Sequence, residues 1–165
     1  MKFIRQCFAL CVLLFSLAPI AHADEVGCVS TTWRVINNDK VCVQSFKDPD
    51  IDGVVCHLSY AKTGGVSGAF GIAENPSRFS LSCSQSGQLK AGKAIPLRQE
   101  KIFTQKMSFL FKGLNVHRLI DKPNNTIVYL VISEKIIDGS PFNSISTVPI
   151  RSWGGQEPLV PFKDK

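Results

Sequence analysis

Along most of this chain apolar residues recur at every second position rather than at every third and fourth. A period of two is the mark of strands, whose successive side chains point to opposite faces. Val29, Thr31, Trp33 and Val35 share one face, and Asn37-Asn38-Asp39 then turns the chain into Val41-Cys42-Val43. Val54, Cys56, Leu58 and Tyr60 make a second apolar face, set against Val55, His57, Ser59 and Ala61. Phe103, Met107, Phe109 and Phe111 alternate with Thr104, Lys106, Ser108 and Leu110. The loop signal Lys122-Pro123-Asn124-Asn125 makes a hairpin of Leu114 to Ile120 and Thr126 to Ser133. Ile127 to Ile132 is apolar on both faces, as a central strand requires. Asp138-Gly139-Ser140-Pro141 leads into a last strand, Ser144 to Ile150. Lys62 to Ser77 and Ser86 to Pro96 read as irregular, with room for a helical turn at Glu74 to Phe79. The pattern predicts a mainly β domain, antiparallel and hairpin-rich, arranged as a sheet, sandwich or barrel, with α+β as the alternative. The tail, residues 154–165, is predicted to be disordered from its glycines, prolines and lysines.

The first 23 residues follow another logic. Lys2 and Arg5 form a basic start, Phe8 to Ile20 an apolar stretch too short to span a bilayer comfortably, and Ala21-His22-Ala23 an A-x-A cleavage site. Residues 1–23 therefore read as a cleavable signal peptide, which predicts an exported, soluble and periplasmic protein. Cleavage after Ala23 leaves about 140 residues, enough for one domain and its core. It removes Cys7 and Cys11 of the six cysteines. In an oxidising compartment Cys28, Cys42, Cys56 and Cys83 read as two disulfides, with three pairings open. Spacing arbitrates only partly, with Cys28–Cys42 and Cys56–Cys83 preferred. The two closures would contribute about 3 and about 3.5 kcal/mol. No C-x-x-C occurs among the four, which argues against zinc or thioredoxin-like chemistry.

The formal charge of +6 changes the picture little. Lys90, Lys93, Arg98, Lys101 and Lys106 form the local concentration. An exported protein is a poor candidate for nucleic acid; an anionic surface or small anion is the functional reading of these lysines and a solvated basic loop the simpler one.

Several motifs invite a reaction and fail on inspection. Asp48-Pro49-Asp50-Ile51-Asp52-Gly53 opens like a calcium loop, so Asp48, Asp50 and Asp52 are weak metal candidates. The twelfth place, which needs a bidentate Glu, is Ser59. An ordinary turn explains the same residues. Ser59-Tyr60-Ala61-Lys62 and Lys62-Thr63-Gly64 mimic penicillin-binding signatures, but both use one lysine where the chemistry needs two. Lys62-Thr63 precedes the run Gly64, Gly65, Gly68 and Gly71, whereas a phosphate-cradling loop places G-K-[ST] at its end. Cys56 and His57 are neighbours on a strand and so face opposite ways, which prevents a dyad. His57 and His117 have no metal-ligand spacing behind them.

Taken together, several segments resemble the CreA family of small exported bacterial proteins. They are Asp48-Pro49-Asp50, Ala61-Lys62-Thr63-Gly64-Gly65 with Gly68, Ala73-Glu74, Ser82-Cys83-Ser84-Gln85, Phe111-Lys112, Tyr129-Leu130, Gly139-Ser140-Pro141, Ser144-Ile145-Ser146 and Val148-Pro149-Ile150. The resemblance covers nearly all of residues 24–153, marked out as the domain, and implies a periplasmic protein named for a locus linked to carbon-source regulation. It implies no established activity and no catalytic residue. Cys56 and Cys83 align with the family's cysteine pair; Cys28 and Cys42 look like additions in this member, which suggests that they pair with each other. Asp52 and Gly53 lie outside the family pattern.

Two expectations of different class follow. One is a non-enzymatic domain, needing no cofactor, that binds an anionic small molecule or periplasmic protein through Lys62, Thr63, Gly64, Gly65 and Gly68. Glycine-rich backbone beside a lysine offers N–H donors and a positive charge to an anion. The other is a hydrolase or metal-dependent enzyme built from His57, His117 and the Asp48, Asp50 and Asp52 cluster, which requires a histidine within reach of a carboxylate or serine.

Overall fold

A computed structural model describes residues 23–31, 39–62, 79–106, 113–137 and 140–164. There the alternating stretches become β1 (Ala23–Ser30), β2 (Lys40–Lys47), β3 (Ile51–Lys62), β4 (Phe79–Ala91), β5 (Ile95–Pro96), β6 (Glu100–Lys106), β7 (Gly113–Asp121), β8 (Thr126–Ile137), β9 (Ser140–Pro149) and β10 (Phe162–Lys163). The described residues contain no helix. Strands β1 to β4 pair in sequence order as one antiparallel sheet, and β6 to β9 as another, so each half is a meander whose neighbours in sequence are neighbours in space. The mainly β, sandwich-like fold agrees with the pattern read from the sequence.

Period two decides which side chains meet. Val54, Cys56, Leu58 and Tyr60 of β3, with Leu81 and Cys83 of β4, turn inward. Leu114 and Val116 of β7, Ile127, Tyr129 and Val131 of β8, and Val148 of β9 share one core with them. Phe46 of β2 stacks on Phe103 of β6 with ring centroids 4.2 Å apart, joining the two layers. β8 is central, as its two apolar faces predicted.

Both disulfides sit at directly opposed positions of a ladder. Cys28 faces Cys42 across β1 and β2, Cys56 faces Cys83 across β3 and β4, and each pair of Cα atoms is 4.0 Å apart. Their settings differ, because Cys56 and Cys83 are both buried, while Cys42 is buried but bridged to Cys28 on a strand exposed from Asp24 to Ser30.

Along one side the sheets meet edge to edge, β4 beside β9. The N–H of Cys83 donates to Ser146 Oγ at 2.8 Å and the N–H of Leu81 to Ser144 Oγ at 3.4 Å. Two serine hydroxyls thus occupy edge donors of β4 that a further strand would otherwise take.

Two sequence expectations need correcting. Ser86 to Pro96 is not irregular throughout: β4 continues to Ala91, and β5 follows. Residues 154–164, expected to be disordered, lie against the domain. Leu159 exchanges backbone hydrogen bonds with Leu89 and Ala91, β10 pairs with β5, and Val160 and Phe162 pack on the core. The lysines and glycines hid these few apolar anchors.

β3 and β4 lose register between Asp52 and Val54. Gly53 has φ +82° there, and a Cβ on it would stand 2.3 Å from the Gln88 carbonyl oxygen. Only glycine fits this position. Gly53→Ala is expected to lower stability by about 1–3 kcal/mol, to be read from the shift in urea midpoint.

Candidate functional site

The most heavily charged interior place is a transverse row of the second sheet. Strand register sets Glu100 of β6 opposite Arg118 of β7, and Arg118 opposite Tyr129 of β8. Arg118 occupies the inward phase of Leu114 and Val116, so a guanidinium only 1% exposed enters the space between the sheets. A charge there is tolerable only if fully paired.

The other sheet supplies two of its three carboxylates. Asp48, Pro49 and Asp50 connect β2 to β3, and the Asp48 carboxylate folds over its own turn, accepting N–H bonds from Asp50 at 2.9 Å and Ile51 at 3.2 Å. Arg118 Nη1 donates to Asp48 Oδ1 at 2.5 Å, and the Tyr129 hydroxyl donates to Asp48 Oδ2 at 2.8 Å. Arg118 Nη2 bridges Asp50 at 3.0 Å and Glu100 at 2.5 Å. Exposed Lys93 closes the outside, its Nζ 2.7 Å from Asp50 Oδ1.

The electrostatics follow from this closure. Burial works against the charged form of Arg118, but the charge and hydrogen bond of Asp48, with hydrogen bonds to Asp50 and Glu100, together outweigh it and raise the guanidinium pKa. Burial and the Asp48 charge together push the Tyr129 phenol up, so it stays a donor. Burial alone would raise Asp50; hydrogen bonds from Lys93 and Arg118 win and hold it below the ordinary aspartate value of 3.8. A carboxyl depressed in the folded state adds stability that is full above its unfolded pKa and is lost as pH falls through the lowered folded value. Unfolding free energy measured from pH 7 down to about pH 2 should therefore fall more steeply below 3.8 in the native protein than in Asp50→Asn. Equal slopes would contradict the pairing.

This arrangement clamps two sheets; it does not present a reactive group. Asp48 and Asp50 come together as the sequence grouped them, but toward Arg118, with Asp48 already receiving four donors. Asp52 is exposed on the far side of the Gly53 irregularity. Among the described residues no three of His, Cys, Asp and Glu gather as metal donors. The two histidines do not meet. His57 alternates outward from β3, His117 outward from β7, so they lie on opposite outer faces of the sandwich. Neither is hydrogen-bonded to a carboxylate or serine among the described residues. Burial, then Lys101 opposite it, lowers the His117 pKa.

Of the glycine-loop candidates, Lys62 ends β3, while Thr63, Gly64, Gly65 and Gly68 lie outside the described residues. Lys62 is Cα partner to Lys40, the first residue of β2. Both are exposed, and neither forms an ion pair among the described residues. The Asp48 turn lies where β7 ends and β8 begins, so Lys40 and Lys62 mark the opposite end of the sandwich.

Sequence reasoning missed Glu100, Arg118 and Tyr129. One signal was present: Arg118 and Tyr129 are equidistant from the Lys122–Asn125 turn, and both fall on apolar phases of their strands.

The CreA protein family matches residues 26–153. The proteins named "Protein CreA" from Escherichia coli strain K12 and from Escherichia coli O157:H7 are each 42% identical to the chain over 147 residues, covering 85% of it and 92% of the relative. No solved structure matches the chain. The Asp48-Pro49-Asp50 turn, the Ser144-Ile145-Ser146 strand and the Cys83 segment, each now seen in a cross-sheet contact, all fall within the matched residues, and the chain belongs to the CreA family.

Proposed function

We propose that this protein is an exported periplasmic binding domain, without a reaction of its own, that holds an anionic or carboxylate-bearing ligand or protein partner at the sandwich end marked by Lys40 and Lys62. The observation that carries this reading is the pairing of those two lysines as the last rung of the β2–β3 ladder. Like charges directly opposed on a sheet cost stability, and an anion between them turns that cost into attraction. Lys62 also leads directly into the sequence Thr63-Gly64-Gly65, a glycine-rich composition that fits anion binding through backbone N–H groups. Two disulfides suit an oxidising compartment. Among the described residues no helix is long and apolar enough to cross a membrane. The second reading, an enzyme built from the histidines and the aspartates, has no geometric support in the outward-facing histidines and the Arg118-bound carboxylates.

Native mass spectrometry of protein prepared from periplasm should reveal a retained acidic small molecule or protein. Lys62→Ala should weaken its binding roughly two- to fivefold, the loss expected for one exposed charge contact, with a larger effect at low salt. An affinity unchanged by Lys62→Ala at every salt concentration would sink the proposal.

A further inference from the structure

At the other end of the first sheet the β3–β4 ladder opens. Asp52 is opposite Lys90 and Val54 opposite Gln85, so Ser86 to Leu89 form a bulge on β4 with only Gly53 between the two pairings on β3. The opening is a cavity of about 330 Å³ whose lining includes Lys47, Asp52, Gly53, Val55, Ser86 and Gln88. Its size falls in the lower part of the small-molecule range, about 300–1,000 Å³.

The walls are braced. Gln88 Nε2 donates to the Glu157 carbonyl at 2.7 Å, and Gln85 Nε2 donates to the carbonyls of Gly87 and Arg151, each at 3.0 Å. Gly53 lets the two backbones approach on the floor at a conformation other residues rarely adopt. Strand irregularities of this kind re-aim side chains and recur beside binding sites. The charged residues of the lining are Lys47 on β2 and Asp52 beside Gly53 on β3, exposed, opposite in charge, and in no ion pair with each other or with another described residue. Half-buried Val55 adds an apolar contact.

We propose that this cavity binds a compact zwitterion of amino-acid size, its carboxylate on the Lys47 ammonium, its ammonium on the Asp52 carboxylate and its carbon chain against Val55. Two opposite charges that share a cavity without pairing favour a zwitterion, because a ligand lacking either charge makes one charge contact fewer. The site is independent of the Lys40 and Lys62 end.

Calorimetric titration of the standard L-amino acids, one at a time, into the mature protein should give saturable binding for at least one. The N-acetyl and amide derivatives of that amino acid should each bind about two- to fivefold more weakly, the loss expected for one exposed charge contact. Lys47→Met and Asp52→Asn, both exposed and compatible with the fold, should each impose a similar loss, and Lys62→Ala none. Absence of saturable binding at about 10 mM for every amino acid, or a ligand whose affinity survives Lys47→Met, overturns the assignment. So does a ligand weakened by Lys62→Ala instead, which would belong to the far end.

Discussion

Arg118→Leu is expected to destabilise the protein by about 3–5 kcal/mol, a large share of the total stability of a domain this size. The loss arises less from the missing attraction than from what stays behind. Asp48 would remain buried, its side chain 0% exposed, with its guanidinium partner gone. Adding Asp48→Asn removes that stranded charge while the amide oxygen can still accept from the turn N–H groups. The double variant should therefore be less unstable than the sum of the single ones, since residues in one network do not add. Urea unfolding of the four proteins measures this directly. A loss below about 1 kcal/mol for Arg118→Leu would mean that the pair behaves as an exposed ion pair.

Removal of the inner disulfide is the second large effect. Cys56→Ala with Cys83→Ala should cost about 2–5 kcal/mol. The corresponding change at Cys28 and Cys42 should cost less and free mainly β1. Loop length cannot create that contrast. The bridged separations are 27 and 14 residues, and chain entropy separates them by only about 0.5 kcal/mol. Burial decides it: both Cys56 and Cys83 lie in the core, whereas of the other pair Cys42 is buried and Cys28 is exposed, and the backbone of Cys83 bonds Ser146 across the sheet junction. β1, by contrast, is exposed almost throughout. Equal losses in chemical unfolding, or a greater loss from the Cys28–Cys42 pair, would contradict this account.

Much of the fold was legible because it is local. Strict alternation in Val54 to Tyr60 and the turn after Asp121 located strands whose partners are their neighbours in sequence. Asp48 and Asp50 were legible as a group but misleading as chemistry, since a run of carboxylates says nothing about a cation arriving from far along the chain. Arg118 reaches Asp48 across 70 residues, and no periodic pattern encodes which face of one sheet will meet which turn of another. Ser144 and Ser146 were likewise ordinary alternating polar residues until β4 lay beside them. The tail was misread because two backbone bonds at Leu159 and the packing of Phe162 outweigh a composition that signals disorder.

The separation of local ladders from distant clamps has a kinetic consequence. Each meander can zip hairpin by hairpin without the other. The contacts between the halves span 63 residues at Cys83 and Ser146 and 81 at Asp48 and Tyr129, so loop closure precedes any return from them. Docking of two preformed halves is then the slow step of folding, and the dehydration of Arg118 belongs to it. If the row completes after the barrier, its variants speed unfolding more than they slow refolding. The amides of Leu81 and Cys83, bonded to hydroxyls across that seam, should exchange with solvent ahead of the ladder amides in the middle of β8.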